Sequence, residues 1–409
     1  MSSVIRHGNA VKPISIPSLA DVTPDNWDRV QSFGIAVNQP TEKLYELGYE
    51  EKIATAKETL EASVSIGQLE YGTIDAFLQL AGLSAEPGSG LALSNFSASK
   101  TDFYLPGKTT YGGVVEETVW LQKMVLDSFT IEMNAEERIQ RTFEMSGNFC
   151  KIARGTNKYL IFKTDTVGSG EAGTFSIVLS DPAPVVSPNA AGVYILQLIR
   201  IRAGVATELT SGYTYTSGTT TLAIADAEDG DIYRIWYTAG SYGTAGDPFV
   251  FNSSDDYYIK ADNVTVTIDD GTHDPVTLDK LTTLSINATL NRLDQAVIGS
   301  NEKLLREVES YDVSLALGGF VKSFPIQEAL MLQAAQTWGL IDYTLFSDVT
   351  VVVKVYETAA KSTFLIGFKM TGLEFTDDSQ TYNANEYAES PVTLNGDNCL
   401  ITETEGNLA

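Results

Sequence analysis

The sequence predicts a mainly β protein built from two tandem β modules with a β-sandwich inserted between them. Three observations carry that reading. Short runs of Val, Ile, Thr, Tyr and Phe alternate with polar residues along most of the chain. Residues 32–70 align on residues 283–321 without a gap, at an offset of 251. Between these segments, residues 157–250 differ in character, with four Pro and many Gly and Thr.

Alternation identifies strands at 32–37, 62–66, 125–133, 264–268, 311–317 and 349–356. Helical spacing appears at 72–82, where Ile74, Phe77, Leu78 and Ala81 share a face and Gly82 supplies a stop. It appears again at 326–338, with Ile326, Leu330 and Ala334. Each helix follows a strand-rich block, so each module carries one short helix. In the repeat, Ser32 falls on Thr283, Phe33 on Leu284, Ile35 on Ile286, Val64 on Leu315 and Gly67 on Gly318. Further on, residues 143–150 match 392–399 at an offset of 249, placing Gly147 on Gly396 and Cys150 on Cys399. Each module also holds a hairpin. The first pairs 125–133 with 139–145 around Asn134, Glu136 and Glu137. The second pairs 364–375 with 387–394 around a loop that opens with Asp377 and Asp378. The expected divisions are 1–156, 157–250 and 251–409. In the middle segment, strands at 174–179, 193–201, 221–224 and 232–238 with Gly and Asp turns suggest an immunoglobulin-like sandwich. By composition, 166–173 and 239–247 read as its flexible hinges.

Composition excludes several functions. The chain has 409 residues, 53 acidic and 27 basic, for a formal charge of −26. Gripping nucleic acid through its phosphates needs clustered Lys and Arg, which this balance does not favour. Two Cys and two His leave little material for disulfides, zinc or His-based catalysis. His7 lies in a polar terminus and His273 in a turn. Neither a phosphate-binding loop nor a strand-linked GxGxxG is present. Asp226, Glu228, Asp229 and Asp231 read as a solvated turn, and Cys150 and Cys399 as small buried hydrophobes. The expectation is a protein that is not an enzyme, with no catalytic residue, cofactor or metal. No apolar stretch reaches the length of a spanning helix and no export signal is apparent, so folding in a cytoplasm is expected.

The order of residues 30–70 and 280–321 resembles the tail tube proteins of tailed bacteriophages. The residues that carry the resemblance are Glu46, Leu47 and Gly48, their counterparts Ile298 and Gly299, and the block 126–147, which is similar to that family's lumen hairpin. The second copy of the motif has Val297 where the first has Glu46. The resemblance implies tail-tube modules, stacked rings and a hollow shaft that conducts DNA without binding it specifically. Two modules per chain imply trimeric rings of pseudo-sixfold symmetry in a virion tail, with the inserted sandwich facing outward. The implied partners are further copies of the chain, a tape measure protein, and terminator or baseplate proteins. Within the first hairpin, Ser128, Thr130 and Glu132 form the more polar face and are expected to line the lumen. Asp127 sits on the apolar side of that alternation, as a residue at a bend would. The tips, Asn134, Glu136, Glu137, Asp377 and Asp378, are expected to reach a neighbouring ring. The alternatives are a β-sandwich surface adhesin and the tube of a contractile injection system.

Overall fold

The computed structural model describes residues 14–17, 25–27, 29–38, 41–44, 54–57, 61–69, 73–106, 117–135, 137–147, 149–154, 159–173, 175–179, 195–215, 221–239, 259–269, 275–278, 281–296, 303–319, 348–378 and 392–409. The fold is mainly β, with antiparallel sheets throughout, as the alternation predicts. The chain divides into two compact units that interleave in sequence. One comprises residues 1–27, 101–123 and 149–254, and the other residues 28–100, 124–148 and 255–409.

In the second unit, eight strands form one antiparallel sheet. In chain order they are β1 (Val30–Asn38), β2 (Glu61–Leu69), β3 (Glu117–Asn134), β4 (Gln140–Gly147), β5 (Leu281–Ala296), β6 (Lys303–Gly319), β7 (Phe364–Asp378) and β8 (Val392–Gly396). Residues 124–134 of β3 lie in this unit. The spatial order is β1-β2-β4-β3-β5-β6-β8-β7. A second sheet runs through Val276–Leu278, Val264–Asp269, Val349–Tyr356, the first part of β7, Asn398–Thr402 and Leu91–Ala92.

The single α-helix among the described residues is α1 (Asp75–Ala81). It stops where the sequence says it should. Gly82 has φ 70°, its N–H donates to the Gln79 carbonyl, and the Leu83 N–H donates to the Leu78 carbonyl. Phe77 of this helix packs edge-on against Phe129 (5.1 Å between centroids) and Phe143 (5.2 Å) of one sheet, and lies 6.4 Å from Phe368 of the other. The buried Arg141 shares that core. Its guanidinium lies 5.5 Å from the Phe77 ring centre and donates to Gln68 and to the Thr73 carbonyl. The second expected helix, 326–338, lies outside the described residues.

In the first unit, two small sheets enclose a common core. One runs Tyr159–Thr166, Ile232–Ala239, Ile195–Arg202 and Val205–Glu208. The other runs Ser176–Val178, Thr221–Ile224 and Tyr213–Tyr215. Phe175, Ile177, Leu198, Leu222, Tyr233 and Ile235 fill the space between them. The two sheets form a β-sandwich, and its first and last strands in sequence, Tyr159–Thr166 and Ile232–Ala239, bring Tyr159 opposite Ala239.

The composition-based hinge at 166–173 is corrected by the structure. Thr166 ends a strand, and the glycine-rich residues after it are tied down. The N–H groups of Gly170 and Ala172 donate to the Asp229 carboxylate, Gly173 donates to the Ala227 carbonyl, and Val167 exchanges hydrogen bonds with Asp231 and Gly230. Gly170 (φ 86°) and Gly173 (φ 76°) supply left-handed backbone for these turns rather than mobility. Asp231 is buried, and the two-pronged bond from Arg202 (2.9 and 2.7 Å) holds its carboxyl below the usual range. The acidic turn is therefore a structural latch, and among the described residues no cluster is suited to a metal. The other expected hinge, 239–247, begins on the last strand residue, and 240–247 lie outside the described residues.

The pairing registers of the two modules coincide in detail. In β1–β2, Ser32 faces Gly67 and Ile35 faces Val64; in β5–β6, Thr283 faces Gly318 and Ile286 faces Leu315. Each of these pairs follows the other at the offset of 251. Both hairpins carry a β-bulge at the corresponding place, skipping Gln31 in one and Thr282 in the other. A Cβ on Gly67 would strike the Ser32 hydroxyl, and one on Gly318 the Thr283 hydroxyl. The second half of each module repeats at 249. Cys150 faces Leu121 as Cys399 faces Met370. Lys123 (φ 55°) occupies the place of Gly372 (φ 67°). The β3–β4 pairing skips Asp127, and the β7–β8 pairing skips Thr376.

Candidate functional site

Among the described residues, two features of the eight-stranded sheet stand out: an acidic face and two open edges. The faces follow from alternation. On one side, Val64, Ile66, Phe129, Ile131, Phe143, Leu284, Ile286 and Leu315 are buried. On the other, cross-strand rows place Ser65, Glu144, Ser128, Thr289 and Asp312 side by side, and Thr142, Thr130, Asn287, Ser314 and Asn395 beside them. Hydrogen bonds run across the strands within each row: Ser65 donates to Glu144 (2.6 Å), and Thr130 donates to Asn287 (3.2 Å). Glu132, Glu144 and Asp312 are exposed on this face. Its described rows contain no Lys or Arg, since Arg141 points to the opposite, buried side.

The expected face assignment in the first hairpin can now be read residue by residue. Ser128 and Thr130 are half-buried and Glu132 is exposed, whereas Val125, Phe129, Ile131 and Met133 are buried. Asp127 is the residue skipped by the bulge, which explains its awkward place in the alternation. At the tip, the Asn134 amide donates to Glu137 (2.8 Å), and the Ala135 N–H donates to the Thr282 carbonyl of β5. The turn thus closes on itself and on the neighbouring strand. Glu136 lies outside the described residues. Asp377 and Asp378 are the last two residues of β7, opposite Thr393 and Val392, so they belong to the strand rather than to the loop after it. Glu46, Leu47, Gly48, Ile298 and Gly299 lie outside the described residues.

The edges were not legible in the sequence. The junction β3–β5, with Ile131 opposite Ile286, joins the four strands of the first module to the four of the second. Among the described residues, β1 has β2 as its one neighbour, and residues 374–378 of β7 have β8. Burial records what the junction does. Leu284, Ile286 and Ala288 of β5 are 4%, 0% and 0% exposed. Their counterparts on β1 are Phe33 and Ile35, which are half-buried, and Val37, which is 48% exposed.

The β3–β5 junction also holds a buried ion. Arg292 of β5, its side chain 5% exposed, donates to the Leu126 carbonyl (3.0 and 2.8 Å) and to the carbonyls of Ser97 and Phe96 (3.0 Å each). The Asp127 carboxylate lies 3.7 Å from its Nε. The bulge at Asp127 exposes the carbonyl that the guanidinium takes, so bulge and arginine form one device.

Elsewhere, Cys399 is free and buried, and burial pushes its thiol up to about 12, which removes thiolate reactivity. No helix among the described residues is long and apolar enough to cross a membrane.

No protein-family model matches the chain, and no curated protein matches it. Among solved structures, it is similar to a chain of the anti-feeding prophage (AFP) baseplate, determined by cryo-electron microscopy and 6-fold symmetrised. The match has a TM-score of 0.30 and 11% identity, covering 37% of this chain and 98% of that one. A likeness of that degree assigns neither fold nor role to this chain.

Proposed function

We propose that this chain is a structural virion protein that forms trimeric, pseudo-hexameric rings, stacked into a hollow phage tail tube whose acidic lumen conducts DNA during ejection. One observation carries the reading: the eight-stranded sheet consists of two equivalent four-stranded halves joined edge to edge through β3 and β5, and among the described residues the counterpart of β5 (β1) is left open at one end and the counterpart of β3 (β7) at the other. An unpaired edge invites another strand, and closing a sheet into a barrel removes the hazard. Three copies would supply 24 strands. At roughly 4.8 Å per strand and a tilt of about 40°, the wall would be about 48 Å across, wide enough for duplex DNA.

The acidic face then lines the bore. Carboxylates such as Glu132, Glu144 and Asp312 repel phosphates over about 8–10 Å at physiological salt, so DNA slides without sticking. In this reading, Ser128 and Thr130 are lumen residues, the hairpin tips meet the adjacent ring, and the sandwich of residues 157–250 decorates the outside. A tape measure protein, terminator and baseplate proteins are the partners, and assembly takes place in the host cytoplasm. No catalytic role, cofactor or metal is assigned. The test is mass measurement by light scattering together with negative-stain microscopy of the purified protein. Rings of three chains, or hollow tubes of such rings, are expected. Monomers at every concentration would overturn the assembly, and six chains per ring would overturn the trimer.

A further inference from the structure

The internal junction serves as a template for the missing one. Two transformations relate the modules: β5 maps onto β1 at 251, and the paired parts of β3 and β7 are related at 249. Applied together to the observed pairs Thr289–Ser128 and Ala288–Phe129, they yield Asn38 opposite Asp377 and Val37 opposite Asp378. β1 and β7 lie at opposite ends of the same sheet, four-strand halves apart, so a second copy must supply the partner strand.

The same mapping shows what this second junction lacks. Arg292 corresponds to Thr41, and Asp127 corresponds to Thr376. The Thr41 correspondence is supported by pairing, because Thr41 faces Lys57 as Arg292 faces Val308. The sequence therefore offers one hydroxyl-bearing residue at the position where the internal junction has an arginine with five N–H donors and a charge. The carbonyl that Arg292 takes, that of Leu126, has its counterpart on Phe375 beside the same bulge.

We propose that β1 of one copy pairs with β7 of a second in the register Asn38–Asp377 and Val37–Asp378, and that this junction, lacking the arginine clamp, is the weaker and reversible counterpart of β3–β5. The inference rests on the reading of the chain as a ring subunit. It adds the register, and it identifies the clamp as the feature that distinguishes the seam within a chain from the seam between chains. A subunit can then fold with its eight strands already joined and still exchange at its outer edges during assembly.

Two experiments test it. The first is cysteine cross-linking with Val37→Cys and Asp378→Cys in one chain, each single variant serving as a control for the native Cys150 and Cys399. Covalently linked oligomers in the double variant and none in the singles support the register. Assembly by light scattering without this cross-link, accompanied by efficient linking of Val37→Cys with Thr376→Cys, overturns the register and leaves the ring reading standing. Failure of the wild-type protein to associate at any concentration overturns both. The second experiment transplants the clamp with Thr41→Arg and Thr376→Asp together. Charge-assisted hydrogen bonds to the Phe375 carbonyl should lower the concentration needed for assembly about tenfold. An unchanged concentration dependence, with the Val37–Asp378 cross-link still forming, overturns the assignment of the clamp as the difference between the seams.

Discussion

Asp102 shows how one buried carboxyl can set a pH dependence. It is 4% exposed, and desolvation pushes its pKa up to about 7, although the Lys123 N–H donates to it at 2.7 Å. In the unfolded chain an aspartate titrates near about 3.9. Between these values the folded chain holds a proton that the unfolded chain has lost. The contribution of Asp102 to stability is therefore full below about pH 4 and is lost as pH rises through about 7. Asp102→Asn keeps an oxygen acceptor for Lys123 and removes the titration. Urea unfolding should show the variant gaining on the wild type by a few kcal/mol, on the order of 1.4 per pKa unit, from pH 4 to pH 8. A constant difference across that range would refute the assignment. Phe77 is the packing counterpart at this scale. It contacts rings from both sheets of its unit, so Phe77→Ala should cost about 3–5 kcal/mol in the same assay. Glu132→Lys tests the proposed bore. Tails carrying it should assemble, and should eject DNA more slowly at low salt than at high salt, because added cations hold phosphates and salt screens them. An unchanged ejection rate at low salt would count against the lumen assignment.

Among the elements, the inserted sandwich carries the sharpest expectation. Its first and last strands end beside each other, Tyr159 opposite Ala239, so a short Gly-Ser bridge can replace 159–239. The sandwich does not merely hang from its ends. Trp236 lies 5.3 Å from Trp120 of β3, and Phe162 packs on Trp236 in turn at 5.2 Å. Excision alone would strip the cover from Trp120, which is fully buried. The second module shows the remedy. The residue corresponding to Trp120 is Lys369, half-buried and hydrogen-bonded to the Ala409 carbonyl, in a module without an insertion. The deletion should therefore aggregate as a single change and assemble when combined with Trp120→Lys. Loss of assembly in both forms would place the sandwich in the shaft itself.

For the whole molecule, the decisive property is that a duplicated chain is equivalent to itself twice but not identical. The two four-stranded halves share their bulges and their bulge-facing glycines, Gly67 and Gly318. They differ in the arginine clamp and in the insertion. In the proposed ring of three such chains, a permanent seam would alternate with an exchangeable one, in keeping with the preference of assemblies for closed rotational symmetry. With a formal charge of −26 per chain, assembly should strengthen with added salt until repulsion is screened. Light scattering across ionic strength would register this as a falling assembly concentration.

The sequence by itself determined the mainly β class, the duplication, α1 with its glycine stop, and the polar side of the first hairpin. Each of these is a local pattern: alternation at period two, helical spacing at period 3.6, or residues repeated at a fixed offset. The repeat was legible even at low identity in part because Gly67 and Gly318 each make room for a hydroxyl on the strand opposite, that of Ser32 and of Thr283. Composition misled at 166–173, since Gly170 and Gly173 supply positive φ in turns tied down by hydrogen bonds, and only the partners Asp229, Ala227 and Asp231 reveal it. Arg141 could be read as a charged residue on an apolar face, but its acceptors come from Gln68 and Thr73, about seventy residues away in the chain. The β3–β5 junction, the Arg292 clamp and the open edges of β1 and β7 were decided by tertiary structure. Strand adjacency between modules is set by hydrogen bonding and burial across more than 150 residues, and no local periodicity encodes which edge meets which.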